Sequence, residues 1–271
     1  MRPVPVLTYH ATNVAGNDYA TNDHVALAED LALLDALGHV VVPLVDVVAA
    51  HAGAADLPDK AVAITFDDGT DFDYHDLDHP LHGRQRSMLN VLRDFATARG
   101  GTRNVTATAF VIASPAARRE MDRECLVGRG WFNDDWWPLA VASGLVSIGN
   151  HSWDHNHPST SEAAARGRAG TFRSIDDEAL AHREIREAHD YIAQRAPNDA
   201  ADLFAYPYGE SNAFLVEDYF PRGYHTTRTR AAFDTEPAHV TDASSRWRLP
   251  RYVCGAHWKR VEDLRHLLKQ G

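Results

Sequence analysis

The chain has 271 residues, 44% hydrophobic and 24% charged, the balance of a soluble globular protein, and no stretch approaches the ~18 uninterrupted apolar residues of a membrane span. Its formal net charge of -11 argues against a nucleic-acid backbone as partner, because such a partner rewards a clustered basic face. Cys125 and Cys254 are too few for a disulfide framework, and Met1-Arg2-Pro3 opens without an apolar leader, so a cytoplasmic protein is expected, or a periplasmic or extracellular one if a leader has been removed.

The pattern along the chain predicts strands alternating with helices. Residues 5–10 form a short apolar run that ends in His10. Val25, Leu27, Leu31, Leu34 and Leu37 then recur at helical spacing, with Asp23 as the expected N-cap and Gly38 as the stop. Val40-Val41-Val42 reads as a second strand and 44–50 as a short helix. The next strand, Ala61-Val62-Ala63-Ile64-Thr65-Phe66, runs straight into Asp67-Asp68-Gly69. Two carboxylates where a buried strand emerges, with a glycine turn that lets both aim at one volume, suggest two tasks, holding a metal and moving protons.

The loop 70–82 is dense in Asp and His but lacks the central glycine and closing glutamate of an EF-hand, so it reads as a mouth loop over the sheet. A helix is predicted over 85–98, a strand over 105–112 and a helix from Pro115. Trp131, Trp136 and Trp137 could form a platform for sugar rings, although such aromatics more often pack into the core. The strand 145–149 leads into His151-Ser152-Trp153-Asp154-His155-Asn156-His157. A long helix over 176–196, a strand over 203–205 ending at Tyr206-Pro207-Tyr208-Gly209, a helix near 213–219, strands near 224–227 and 247–254, and a helix over 260–269 complete the chain. No repeat or linker divides it, so one domain over 1–271 is expected, an α/β fold of about seven βα units in a distorted barrel.

In such a barrel functional groups gather beyond the C-terminal ends of the strands, where His10, Asp67, Asp68, His151, His155 and the 206–209 turn all fall. His-x-x-x-His spacing places two imidazoles on one side of a helical turn, and a carboxylate from another strand would complete three metal ligands with a position left open, as in a catalytic zinc site. His157 remains an alternative to His155.

Thr65-Phe66-Asp67-Asp68-Gly69 and His151-Ser152-Trp153-Asp154-His155 resemble the first two motifs of the polysaccharide deacetylases, the NodB-homology carbohydrate esterases of family 4 type. The resemblance reaches from Tyr9-His10 to Tyr206-Pro207-Tyr208-Gly209, and to Arg251 on the last strand. It implies a distorted (β/α)7-type barrel, Asp67 as catalytic base, and Asp68, His151 and His155 as ligands of one divalent metal, Zn2+ first, with Co2+ or Ni2+ as alternatives. It also implies that the backbone N–H of Tyr208 holds an oxyanion, and Trp153 is expected at the substrate. The arginine that usually precedes Pro-Tyr-Gly is replaced by Phe204-Ala205-Tyr206, which leaves Arg251 to orient the base. The usual late Leu-x-His is not plain, so His10 is the first candidate for the general acid, with His225 and His257 behind it. The implied activity is removal of N-acetyl groups from an N-acetylated sugar or polysaccharide. Hydrolysis of a non-sugar linear or cyclic amide, or a non-catalytic glycan-binding module, are the alternatives.

Overall fold

A computed structural model describes residues 1–101 and 105–269. Among the described residues ten strands form, β1 (Val6–His10), β2 (Val40–Val41), β3 (Ala61–Asp67), β4 (Leu77–His79), β5 (Gly83–Gln85), β6 (Ala107–Val111), β7 (Val146–Asn150), β8 (Leu203–Ala205), β9 (Ala231–Phe233) and β10 (Tyr252–Val253). All but β4 and β5 join one sheet, in the order β10-β1-β3-β6-β7-β8-β9 with β2 beside β3, and every pairing in it is parallel. Parallel strands need crossovers, which the intervening helices supply, so all the strands open toward the same end.

Strand alternation explains both cores. Val6, Ala61, Ala63, Phe110, Leu203, Ala205, Ala231, Phe233 and Leu249 pack together inside the curled sheet. The alternate residues Leu7, Tyr9, Val62, Ile64, Phe66, Ala109 and Val111 pack outward against the helices Asp23–Ala36 and Met88–Ala98. Inward hydroxyls satisfy one another: Thr8 with Thr65, and Thr108 with Ser147, each at 2.9 Å. Gly149 is small because a Cβ there would lie 2.6 Å from the Phe110 ring, which fills the space across the barrel.

The last segment was expected as one strand over 247–254, but it is split. Leu249 exchanges hydrogen bonds with β9, donating to Ala232 O (2.9 Å) and accepting from Asp234 N (3.0 Å), whereas Tyr252–Val253 pair with β1. Pro250, with no N–H to give, marks the change of partner, and the segment thereby bridges the two edges of the sheet. Residues 224–227 were read as a strand and form a helical turn (Tyr224–Thr227), bounded by positive φ at Gly223 and Arg228. The N-cap of the first helix is Asn22, whose side chain accepts from the N–H groups of His24 and Val25. Asp23 is thus free to accept from His10 N at 2.8 Å, which ties the end of β1 to that helix. The predicted mouth loop contains a short 3-10 turn (Asp71–Asp73) and β4, whose antiparallel partner β5 lies just past it, so the helix expected from residue 85 begins only at Met88.

Candidate active site

Asp67 is the last residue of β3 and faces the barrel interior, with 4% of its surface exposed. Arg251 grips it bidentately, Nη1 to Oδ1 at 2.7 Å and Nη2 to Oδ2 at 2.8 Å. Arg251 is itself fully buried, donates from Nε to Asp234 O (3.1 Å), and lies over the Phe110 ring. Burial pushes the Asp67 carboxyl up, but Arg251, with His151 and His10 adding to it, outweighs burial and holds the group well below the usual carboxylate range. Asp67 is therefore an anion with one face committed to a planar fork.

The chain then turns sharply. Asp68 has φ 77° and Gly69 φ 79°. A Cβ on Gly69 would stand 2.4 Å from Val111 Cγ1 and 2.9 Å from Val111 Cα, so only glycine lets β3 leave the sheet this close to β6. Gly69→Ala is expected to destabilise the protein by at least about 1–3 kcal/mol, seen as a lower midpoint in denaturant titration.

His151 follows β7. Its Nδ1–H donates to Ala205 O at 2.8 Å, which leaves Nε2 as the lone-pair nitrogen. Asp68 Oδ1 lies 3.7 Å from Nε2 of His151 and 3.8 Å from Nε2 of His155. The three donor atoms are mutually within 4.8 Å. Tetrahedral zinc bonds of ordinary length would hold such atoms about 3.3 Å apart, so the group fits a divalent ion with small adjustments. Burial lowers the pKa of His151, although Asp67 and Asp68 oppose it. For His155 burial, then His151 and His157, lower it further. Both imidazoles are thus neutral near pH 7, the form that can ligate a metal.

The motif carrying the histidines is not the helical turn that its spacing suggested. Ser152 (φ 73°), His155 (φ 61°) and Asn156 (φ 44°) are left-handed, yet the two imidazole centroids meet at 4.9 Å. Such backbone persists only where its surroundings over-determine it. Here Asn150 Oδ1 accepts from Ser152 N, Ser152 Oγ from His155 N, and Asp154 Oδ1 from Asn156 N. Asp154 is fully buried and paired with Arg166 at 2.9 Å, which also reaches Glu184 at 3.1 Å.

The remaining expected residues divide. His10 ends β1 directly across the ladder from Asp67, and its Nδ1 is buried without a hydrogen-bond partner. Tyr208 (φ 60°) is 41% exposed, and its ring centroid lies 4.4 Å from that of His155, which brings the 206–209 turn to the same mouth. Trp153 is turned elsewhere: it packs edge-on against Tyr191 at 5.8 Å, with Arg183 over its ring at 4.3 Å. His225 is exposed on the turn whose Tyr224 reaches Asp202, the residue preceding β8, so it sits at the opposite end of the strands. His257 uses Nδ1 to accept from Val253 N at 2.7 Å. His157 lies behind His155 with centroids 6.1 Å apart, and its Nδ1 accepts from Ser159 N. Trp136 and Trp137 are buried core residues rather than a platform. Asp73, within the Asp/His-rich loop, is a further buried carboxylate.

A family model described as polysaccharide deacetylase matches residues 54–226, more than half of the chain. The chain belongs to the polysaccharide deacetylase family. No curated protein matches it. Among solved structures, this polysaccharide deacetylase is similar to the de-N-acetylase of Aggregatibacter actinomycetemcomitans, with TM-score 0.67 and 16% identity over 97% of this chain and 99% of that one. It is similar to the Streptococcus pyogenes deacetylase PplD in complex with acetate, with TM-score 0.66 and 16% identity over 98% of each chain. IcaB from Ammonifex degensii gives TM-score 0.62 and 20% identity over 98% of this chain and 97% of that one. These likenesses establish the fold, a curled parallel sheet of the NodB type, and family membership makes the chain a hydrolase at the family level. Among the described residues no helix is long and apolar enough to cross a membrane.

Proposed function

We propose that this deacetylase is a metal-dependent hydrolase that removes N-acetyl groups from an N-acetylated sugar or polysaccharide. The observation that carries the reading is the pairing of two adjacent carboxylates with opposite partners: Asp67 is locked on Arg251, while Asp68 faces His151 and His155. Two imidazoles and a carboxylate suit Zn2+, and also Co2+ or Ni2+. When bound there, such an ion supplies Lewis-acid polarisation of an amide carbonyl and makes a water more acidic.

The chain's own residues supply the rest. Asp67 takes the proton of the attacking water; Arg251 keeps it ionised and fixes its direction, spending one lone pair of each oxygen on orientation and leaving a second lone pair for the proton. The backbone N–H of Tyr208 steadies the developing oxyanion. His10, at the neighbouring strand end, delivers a proton to the departing sugar amine, with its N–H tether to Asp23 fixing the backbone that carries it. Acetate leaves and a free amine remains on the sugar.

The test is acetate release with matching amine formation from N-acetylglucosamine oligomers. Activity should disappear with a chelator and return with Zn2+, Co2+ or Ni2+. Protein carrying one metal ion per chain that releases no acetate from any N-acetylated sugar would contradict the reading, as would turnover that survives complete metal removal.

A further inference from the structure

Segment 168–175 carries no group of the proposed reaction, yet it is bonded to both halves of the mouth. On one side it meets Asn156, the left-handed residue after His155, which is 1% exposed. The two Nδ2 hydrogens of Asn156 are shared among Arg168 O (2.9 Å), Thr171 O (2.8 Å) and Ser174 Oγ (2.9 Å), and Asn156 O accepts from Gly170 N at 2.8 Å. On the other side it meets Glu210, which directly follows the 206–209 turn. A single oxygen, Glu210 Oε2, accepts from the Thr171 hydroxyl and from Phe172 N (3.0 Å). Thr171 is thus bonded through its carbonyl to the histidine loop and through its hydroxyl to the turn. Asn212 adds a second tie, its Nδ2 donating to Arg173 O (3.0 Å) and Ile175 O (2.9 Å). The segment is itself fixed, because Phe172 is fully buried against Phe204 of β8 and Tyr206, with centroids 5.8 and 6.3 Å away.

The turn needs such a hold. Tyr208 has φ 60° and Gly209 φ 66°, and a tyrosine persists in the left-handed region only where its surroundings over-determine it. The bonds within the turn are those of Gly209 N to Tyr206 O (2.9 Å) and Glu210 N to Pro207 O (3.1 Å). Thr235 packs so tightly against it that a Cβ on Gly209 would fall 1.9 Å from Thr235 Oγ1. The Glu210 carboxylate joins the turn to the histidine side of the mouth. Its other neighbour, Arg173 at 3.6 Å, is 69% exposed and holds it weakly.

We infer that Glu210 is a positioning residue: through Thr171 and Phe172 it sets where the Tyr208 N–H stands relative to the His155 loop, and so how well the turn meets a developing oxyanion. The inference rests on the deacetylase reading above. An oxyanion donor acts only if it is aimed before the reaction, and a misplacement of about 1 Å can cost about 10²-fold in rate.

The experiment follows acetate release from N-acetylglucosamine oligomers by Zn2+-loaded wild type, Glu210→Ala, Glu210→Gln, Thr171→Val and the double variant Glu210→Ala/Thr171→Val, with a Zn2+ titration of each. Glu210→Ala is expected to lower kcat by about 10–100-fold with KM nearly unchanged, the pattern of an interaction made in the transition state, and to bind one Zn2+ at wild-type affinity. Glu210→Gln, whose amide oxygen still accepts from Thr171 and Phe172, should retain most of kcat. Thr171→Val should give a smaller loss, and the double variant should be no slower than Glu210→Ala, because both substitutions break one bond. Equal losses in Glu210→Gln and Glu210→Ala would show that the charge acts directly, and additive losses in the double variant that the two residues act apart; either overturns the inference. A Glu210→Ala variant as fast as wild type, or one whose loss is matched by weaker Zn2+ binding, overturns it too and leaves the deacetylase reading standing. Should Glu210→Ala not fold, Thr171→Val decides alone, and an unchanged kcat there overturns the inference. Wild-type protein that releases no acetate from any N-acetylated sugar overturns both readings together.

Discussion

Asp67→Asn is expected to lower turnover by about 10²–10⁴-fold, the usual contribution of a general base, while one metal ion per chain remains bound. The variant leaves Asp68, His151 and His155 untouched, but it strands Arg251, a fully buried guanidinium, without its anion. Removing one partner of a buried ion pair costs about 3–5 kcal/mol, whereas replacing both by uncharged groups of similar volume is often neutral. The double variant Asp67→Asn/Arg251→Met should therefore recover most of the lost stability and none of the lost turnover, which separates the chemical role of Asp67 from its packing role. The sign of the pH dependence follows from the same pair. Asp67 is held well below its unfolded value, near 3.9, so its contribution to stability is present above that value and is lost only as pH falls through the lower, folded one. Between pH 7 and about 4 it stays ionised, and an acid limb of kcat/KM in that window must come from another group.

His151→Ala should lose both metal and turnover. The substitution removes one of three ligands and also leaves Ala205 O without its buried donor, a penalty of about 1–3 kcal/mol. Metal affinity should fall by more than about 100-fold, beyond what the loss of an outer-shell partner costs. His157→Ala is the matched comparison: it removes an imidazole whose centroid is 6.1 Å from that of His155 and should leave one metal per chain. Metal analysis of the two variants after dialysis distinguishes them. A His157 variant that loses metal while His155→Ala keeps it would exchange the two assignments.

Much of the site was legible because chemistry was written at strand ends. Asp67-Asp68-Gly69 and His151 follow continuous apolar runs, and a parallel sheet delivers all such ends to one mouth. Arg251 was legible only as a substitute for the arginine missing before Pro207-Tyr208-Gly209; it lies just before β10 and is placed on Asp67. What was hidden depends on turns. The alternation that orients strand side chains stops at Ser152, so the direction of Trp153 could not be read from its place in the motif, and the left-handed residues turn it out onto Tyr191 and Arg183. Residues 224–227 have strand-forming side chains, yet Gly223 and Arg228 close them into one helical turn, a case of tertiary context overriding propensity. Asp73 looked like one acid among many in a polar loop. Its burial follows from the anchoring of Asp71 by Asn133, a contact between residues 62 positions apart that no local pattern shows.

The division of labour between Asp67 and Asp68 is tested most directly by the anomalous difference map of a crystal grown with Zn2+. One peak is expected per chain, bonded to Asp68 and to Nε2 of both His151 and His155, with Asp67 still in its bidentate pair with Arg251. A peak held by Asp67 in place of Asp68, or no peak among these four residues, would contradict the account.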